Sequence, residues 1–168
     1  MTTAPLTFDP IEEAARQWRA HGWGDAADGM AAVTSLMRAQ AIMLARAEAV
    51  LRPLGLSFAR YELLTLLSFT RRGTLPMAQA GTLLQVHPTS ITNAVGRLEK
   101  AGLVSREPHP SDGRAAIITI TEPGRTLTAE ATKHINAALF TQPGLSPQRL
   151  RMLFSVIRDL RRDAGDFV

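Results

Sequence analysis

Cysteine is absent from this chain of 168 residues, and lysine is almost absent. Without thiols the protein cannot form disulfides, bind a metal through thiolates or sense oxidants through a reactive cysteine. The four histidines show no metal-ligand spacing such as His-x-x-x-His. The sequence also contains no glycine-rich phosphate loop and no Gly-x-Ser-x-Gly motif. We therefore expect no enzyme, no cofactor and no metal site.

Long apolar runs are also missing. No run approaches the ~20 residues that span a bilayer, and the first residues lack the basic start and apolar core of a signal peptide. We therefore expect a cytoplasmic protein without a membrane partner. Apolar residues nevertheless make up 45% of the chain, as in a folded protein with a real core.

The net charge of the chain is only +4, but its pI is near 10.6. The basic residues are almost all arginine, because Lys100 and Lys133 are the only lysines. Arginine favours bidentate contacts with phosphates and base edges. A small basic excess is also common in proteins that bind no nucleic acid, so the charge permits a nucleic-acid partner without requiring one.

Capping residues and breaks predict three helices in the first part of the chain. Asp9 followed by Pro10 is typical of a helix start, and this short helix should reach about His21. Glycines then break it, and a longer helix should run from about Asp25 to Arg52. Its apolar residues form a narrow stripe suited to packing against other helices, namely Met30, Val33, Met37, Leu44 and Leu51. A third helix should span Phe58 to about Phe69.

The centre of the chain predicts two short helices followed by a hairpin. Pro76 opens the first helix, and Gln85–His87 makes a turn before a second helix from Pro88 to Ala101. The buried face of the second helix should consist of Ile91, Val95 and Leu98. Strands are expected over Leu103 to Glu107 and over Ala115 to Ile120. The loop between them holds prolines, an Asp-Gly pair and an arginine, which are typical hairpin residues.

Two more helices should follow, one from Thr121 to about Phe140 and one beginning at Ser146. The resulting fold class is mainly α with a small β-hairpin wing, a winged helix-turn-helix. The long helices at the two ends carry apolar stripes that a domain this small cannot easily cover, which suggests dimerisation through them. We expect one compact domain in three parts. They are an N-terminal extra helix with a dimerisation helix (1–54), the winged helix-turn-helix lobe (55–121) and C-terminal dimerisation helices (122–168).

Four sequence segments carry a specific pattern in a fixed order. They are Gly55–Leu64, Val86–Thr92, Arg97–Val104, and Asp112–Arg114 together with Thr121–Gly124. Each segment is weak evidence alone, but in register they make the chain similar to the MarR family of bacterial transcriptional regulators. The resemblance implies a homodimer whose two recognition helices bind a palindromic operator in double-stranded DNA. Such a regulator is usually a repressor that a small-molecule ligand releases.

The helix predicted from Pro88 to Ala101 has the features of a helix that enters a DNA major groove. Small hydroxyl residues at its N-terminus would let the backbone approach phosphates, where the helix dipole helps. Ser90 and Asn93 could read base edges, and asparagine is suited to adenine. An ordinary solvated helix face would carry similar residues, but the preceding helix, the arginine in the hairpin and the family resemblance favour DNA contact. Arg97 would be a phosphate anchor or a salt-bridge partner.

The resemblance also places the family's Asp-x-Arg wing motif on Asp112 and Arg114. Arg114 would enter the minor groove while Asp112 orients its guanidinium, although a solvated hairpin charge is the alternative. Arg71, Arg72 and Arg106 would contact phosphates or simply face solvent. The expected DNA-binding residues are therefore Pro88, Thr89, Ser90, Thr92, Asn93, Arg97, Arg106, Asp112, Arg114, Arg71 and Arg72.

A ligand site is suggested by the extra N-terminal helix. Branches of the family that resemble urate-responsive regulators share this addition and use its tryptophan together with arginine and aspartate. The corresponding residues here would be Trp18, Asp28, Arg38 and Arg60, and an arginine-lined pocket would prefer an organic anion. Alternatively, Trp18 and Trp23 only pack the extra helix against the dimer core.

A different class of function is a winged-helix adaptor that dimerises and contacts proteins without reading DNA. Such an adaptor would not need serine, threonine and asparagine facing outward beside a basic hairpin tip. The polar helix face therefore separates the two hypotheses.

Overall fold

A computed structural model describes residues 5–168, except for the side chains of residues 112–114. The described chain is mainly helical with one small antiparallel sheet, which confirms the expected fold class. Its residues pack into two compact units, one ending at Phe58 and one spanning Ala59–Val168.

The first unit is a pair of helices joined by a short turn. Helix α1 spans Pro10–Ala20 and α2 spans Gly24–Leu51. Asp9 caps α1 as predicted, because its carboxylate accepts a hydrogen bond from the Ile11 backbone N–H at 2.8 Å. The two helices pack against each other, and Ala15 and Ala27 are buried where small side chains let the backbones approach.

The apolar stripe predicted on α2 lies largely at the surface of the chain. Val33, Met37 and Leu44 expose 58%, 66% and 40% of their surface, whereas Leu51 at the end of the helix is fully buried. Isolated exposed apolar residues are common, but a stripe of them at helical spacing marks a surface that packs against something else.

Three helices build most of the core of the second unit. Helix α3 spans Phe58–Phe69, α4 spans Met77–Leu84 and α5 spans Pro88–Lys100. The side chains of α3 that are fully buried are Leu63, Leu64 and Leu67. The predicted buried face of α5 is confirmed, because Ile91, Val95 and Leu98 are all buried.

The sheet has three strands, one more than the sequence predicted. Strands β1 (Thr74–Pro76), β2 (Val104–His109) and β3 (Asp112–Ile120) pair antiparallel in the order β1-β3-β2. Leu75 of β1 faces Ile118 of β3 in this register. The sequence predicts only a helix start at Pro76. A proline is compatible with a strand here because β1 lies at the edge of the sheet.

The last part of the second unit consists of α6 (Glu122–Ile135) and α7 (Pro147–Asp163). The helix expected to continue to Phe140 changes to a π-helical turn over Asn136–Phe140. Gly124 is required near the start of α6, because a Cβ atom at this position would lie 2.1 Å from the carbonyl oxygen of Leu103. This glycine lets the start of α6 pack closely against the backbone of Leu103, immediately before β2.

Candidate nucleic-acid interface

The turn between α4 and α5 is held by backbone hydrogen bonds at the end of α4. Gln85 takes the left-handed conformation (φ 53°), and the N–H of Val86 donates to the carbonyl of Gly81 at 3.1 Å. The Gln85 side-chain amide donates to the backbone carbonyl of Asp166 at 2.9 Å. Glycine or asparagine usually fills such a position, so the sequence contained no signal for this role of Gln85.

Helix α5 begins immediately after this turn. Nδ1 of His87 accepts a hydrogen bond from the Thr89 backbone N–H at 3.2 Å, and Pro88 occupies the first helical position. His87 and Pro88 are thus turn and helix-start residues, as predicted. The first turn of α5 therefore has a fixed backbone direction.

The outer face of α5 is polar and accessible. Four side chains predicted to contact DNA lie on it and are exposed: Thr89, Ser90, Thr92 and Asn93. The hydroxyl of Thr92 donates to the Pro88 carbonyl at 2.9 Å, which orients this side chain against its own helix. The structure therefore brings the predicted helix residues together on one surface.

The inner face of α5 fixes the orientation of this surface. Ile91, Val95 and Leu98 are at most 4% exposed. Gly81 on α4 lies beside Ile91, and a Cβ atom at this position would be in ordinary van der Waals contact with the Ile91 side chain, at 3.7 Å. Rotation of α5 that turned Asn93 away from solvent would expose these apolar residues, so the polar face is held outward by the core.

A groove of about 510 Å³ lies between α4, α5 and the sheet. Its lining includes Met77 and Thr92 from the helices, Val86 from the turn between them and Ala116 from β3. The sequence does not predict this groove, because its third wall comes from β3, which follows α4 and α5 only after an intervening strand. It joins the polar face of α5 to the β-hairpin in one continuous surface.

The β-hairpin forms the second part of this surface. Arg106 on β2 is exposed, opposite Ile118 of β3. At the tip, the backbone N–H of Ser111 donates to Nδ1 of His109 at 3.3 Å. The predicted wing residues Asp112 and Arg114 belong to β3, but their side chains lie outside the described residues.

The predicted arginine contacts lie in different places. Arg97 is exposed on α5 and has no ion pair with any described residue. Arg71 and Arg72 are exposed in the turn that ends at Gly73. The Gly73 carbonyl accepts a hydrogen bond from Ile120, and the next residue, Thr121, donates to the Leu103 carbonyl. Because Leu103 follows the C-terminus of α5, this turn lies near the end of α5 opposite to Thr89, roughly 20 Å along the helix axis.

The four predicted ligand residues do not form one cluster in the first unit. Trp18 packs edge-to-face against Trp23 with ring centroids 5.5 Å apart, and Asp28 pairs with Arg19. Arg38 instead lines a separate groove. Arg60 belongs to the second unit and is engaged in an interaction of its own. Their role in ligand binding stays a prediction.

The described groups with a clearly shifted pKa lie outside the α5 surface. Hydrogen bonds from Arg16 and Gln17 lower the pKa of Glu13 on α1 to about 2, and the same contact raises the pKa of Arg16. Burial raises the pKa of Glu62 on α3. Among the described residues, no group of histidines and acids has an arrangement that could hold a metal ion. Likewise, no helix within residues 5–168 is both long and apolar enough to cross a membrane.

Known proteins share both the sequence pattern and the fold. The sequence pattern of the MarR family matches residues 54–115. A MarR family transcriptional regulator from Streptomyces coelicolor is 46% identical, with a TM-score of 0.77, over 83% of this chain and 97% of that chain. Another regulator of this family from the same organism, solved in complex with DNA, is 26% identical, with a TM-score of 0.69, over 79% of this chain and 88% of that chain.

A sequence relative from Mycobacterium tuberculosis is described as an HTH-type transcriptional repressor. It is 32% identical over 103 residues, which cover 61% of this chain and 73% of the repressor. All three of these relatives are described as transcriptional regulators or repressors.

Proposed function

Because the chain belongs to the MarR family of transcriptional regulators, we propose that it binds a palindromic operator as a homodimer and acts as a repressor. We further propose that a small organic anion releases it from DNA. The observation that carries the proposal is the polar outer face of α5, which the buried residues Ile91, Val95 and Leu98 hold outward.

Helix α5 is the proposed recognition helix. Its N-terminal residues Thr89 and Ser90 are small, so the backbone can approach phosphates, and the helix dipole favours their negative charge. Asn93 has both a donor and an acceptor and can pair bidentately with adenine in the major groove. Arg97, one turn later, has no protein partner among the described residues and is free to contact a phosphate.

The hairpin is the proposed wing. Arg106 would contact a phosphate and Arg114 would enter the minor groove, with Asp112 orienting the guanidinium. Arg71 and Arg72 lie near the C-terminal end of α5. They would contact DNA only if the duplex bent around the lobe. We therefore rank them below the α5 residues and the wing.

Dimerisation is supported by the exposed apolar faces at both ends of the chain. On α7, Leu153, Phe154 and Leu160 lie on one side of the helix and expose 45%, 64% and 53% of their surface, and the stripe of α2 is exposed as well. A dimer with two-fold symmetry would present two copies of α5. The two half-sites of the operator should then lie about 10 bp apart, or a multiple of this distance.

In vitro selection from a library of random duplexes, followed by gel-shift titration at several salt concentrations, tests the proposal. We expect the selected sites to contain an inverted repeat. If six or more phosphates are contacted, affinity should fall by roughly a thousandfold between 50 and 200 mM salt. Selection of no consensus, together with an affinity that does not depend on salt, would support the adaptor alternative and contradict DNA recognition.

A further inference from the structure

The turn before α5 contains a backbone conformation that does not suit its residue type. Gln85 has a φ of 53°, and among the described residues it is the one non-glycine residue with a positive φ. In this left-handed conformation the Cβ atom crowds the backbone, so glycine or asparagine usually occupies such a position. The backbone of the turn therefore does not explain why a glutamine is found here.

The side chain of Gln85 supplies an explanation. Its amide Nε2 donates a hydrogen bond to the backbone carbonyl of Asp166 at 2.9 Å, across 81 positions of sequence. Asparagine would suit the backbone better, but its amide is one methylene group shorter, and glycine has no side-chain amide. Both residues belong to the second unit. Glutamine at this position thus joins the turn before α5 to the segment that follows α7.

The segment after α7, residues 164–168, is folded back on the end of the helix. Gly165 takes the left-handed conformation, and the N–H of Asp166 donates to the Arg161 carbonyl at 3.0 Å, which closes the helix in a Schellman motif. The Asp166 carboxylate accepts a hydrogen bond from Nε of Arg161 at 2.5 Å. The same guanidinium lies 5.5 Å from the centroid of the Phe167 ring. Arg161 therefore holds the segment in the shape that presents the Asp166 carbonyl to Gln85.

The bond acts at the end of α5 that is proposed to read bases. Pro88, the first residue of α5, follows Gln85 by three positions, a span of at most ~11 Å. Ile91, Val95 and Leu98 determine which side of α5 faces the core, but they lie after the first turn of the helix. The direction in which the chain leaves Gln85 therefore determines where the first turn of α5 lies.

We propose that Gln85 is a positioning residue for DNA recognition, and that residues 164–168 anchor it and so hold the first turn of α5 in the orientation that meets the major groove. The inference rests on the proposed function for its DNA readout, whereas the anchor itself is a property of the protein without DNA. Because α7 also carries the exposed apolar face with Leu153, Phe154 and Leu160, the bond connects the surface proposed for dimerisation to the recognition helix.

Two variants of Gln85 test the role of the bond in operator binding. Gln85→Met keeps the length and the backbone strain but has no donor, whereas Gln85→Gly removes the donor and relieves the strain. Both should bind the selected operator about three- to tenfold more weakly, because one exposed hydrogen bond contributes modestly. In thermal unfolding, Gln85→Gly should be at least as stable as Gln85→Met. A glutamine that served only the turn would predict instead that Gln85→Gly binds the operator at least as well as the unchanged chain.

Deletion of residues 164–168 removes the acceptor. It also raises the net charge from +4 to +5, because one aspartate is the only charged side chain removed, so electrostatics alone predicts tighter binding to DNA. The proposal predicts the opposite, a loss similar to that of Gln85→Met. Combining the deletion with Gln85→Met should cause no further loss, since both changes break the same bond.

Two neighbouring arginines of α7 provide a matched pair of variants. Arg161 holds the segment through Asp166, whereas Arg162 pairs with Asp159 on its own helix at 2.8 Å. Replacing either arginine by glutamine removes one positive charge from nearly the same place. Arg161→Gln should therefore weaken operator binding at least threefold more than Arg162→Gln does.

Hydrogen exchange without DNA gives a readout that does not depend on an operator. The N–H of Val86 donates to the Gly81 carbonyl beside Gln85. Its protection factor should fall at least threefold in Gln85→Met and in the truncated chain, while that of Val95 in the middle of α5 should stay the same.

Three results would overturn the proposal. They are unchanged operator affinity of Gln85→Met, additive losses when this variant is combined with the deletion, and conversion of the truncated chain to a monomer in sedimentation, which would assign the segment to assembly. Failure of the proposed function is distinguishable, because a chain that binds no operator but shows the change in protection at Val86 retains the anchor.

Discussion

Helices α5 and α7 are both amphipathic, but only α5 buries its apolar face within the chain. Ile91, Val95 and Leu98 of α5 are buried, whereas α7 has no buried residue and Phe154 is 64% exposed. Both belong to the same compact unit. The polar face of α5 is therefore oriented by contacts within one chain, while the terminal helix has an apolar face that a single chain leaves uncovered.

The buried face of α5 and the exposed face of α7 should therefore contribute to different properties, namely the stability of one chain and its assembly with a second. The core that orients α5 depends on contacts within one lobe, so its stability should be a property of the single chain. The apolar face of α7 gains most from a second chain, so its contribution should appear in assembly and depend on protein concentration. Mutations in the two helices should therefore be distinguishable by what they change.

The largest effect should come from Leu98→Ala in α5. This side chain is fully buried, so its truncation should lower the free energy of unfolding by about 2–5 kcal/mol. Denaturation by urea measures the change. Leu83→Ala in α4 is the matched control, because Leu83 is 55% exposed, and should stay within about 0.5 kcal/mol. Similar losses for both variants would mean that α5 is not held by the core as described.

Phe154→Asp should disrupt contacts made by the apolar face of α7 without unfolding the winged helix-turn-helix lobe. A charge in an apolar subunit contact should weaken the dimer by at least about 2 kcal/mol, or roughly thirtyfold in dissociation constant. Analytical ultracentrifugation measures the dimer, and circular dichroism checks that the helices remain. A variant that sediments as the unchanged protein does would exclude this face of α7 from the dimer contact.

Asn93→Ala tests the outer face of α5. If Asn93 reads a base, the variant should lose about 1–3 kcal/mol of binding to the selected operator and little on random DNA. Arg97→Ala should instead weaken both kinds of DNA, since a phosphate contact carries no sequence information. Gel-shift titrations on the two DNAs at the same salt give the comparison. An equal loss on both DNAs for Asn93→Ala would make it a phosphate contact.

The smallest effect is expected at the start of α7. The Ser146 hydroxyl accepts a hydrogen bond from the Arg149 backbone N–H at a long distance of 3.4 Å. Ser146→Ala should therefore lower the free energy of unfolding by only about 0.5 kcal/mol, near the lower limit for a lost cap. Ser146→Asn keeps a capping group and should show no loss in thermal unfolding. A loss above 2 kcal/mol would show that this cap supports more than the helix end.

The elements predicted best are those with a local signal. The buried face of α5 follows from helical periodicity alone, and Asp9 with Pro10 determines the start of α1. Strand β1 was missed because it has only three residues, and its partner Ile118 lies far along the sequence. In α4, Ala80 is buried but the larger apolar side chain of Leu83 is 55% exposed. A helix of eight residues is too short for periodicity to determine which side is buried.

In the candidate site, too, only the features with a local sequence signal could be predicted. Thr89 to Asn93 could be predicted as one polar face because they share a single helix. The groove between α4, α5 and β3 could not, because its lining depends on tertiary packing. The groove beside Arg38 could not be predicted either, since its outer wall is an irregular segment without a periodic pattern.

The third strand also has a consequence for how the wing folds. Strands β2 and β3 are joined by a short loop, so their hairpin can close with little loss of chain entropy. Strand β1 can pair only after a segment that is distant in the sequence has come close to it, and its three residues add few backbone hydrogen bonds. The hairpin should therefore form early, and β1 should attach late and detach first. Hydrogen exchange at Leu75 should accordingly be faster than at Thr119, which pairs with Ser105 of β2 and whose N–H points to that strand.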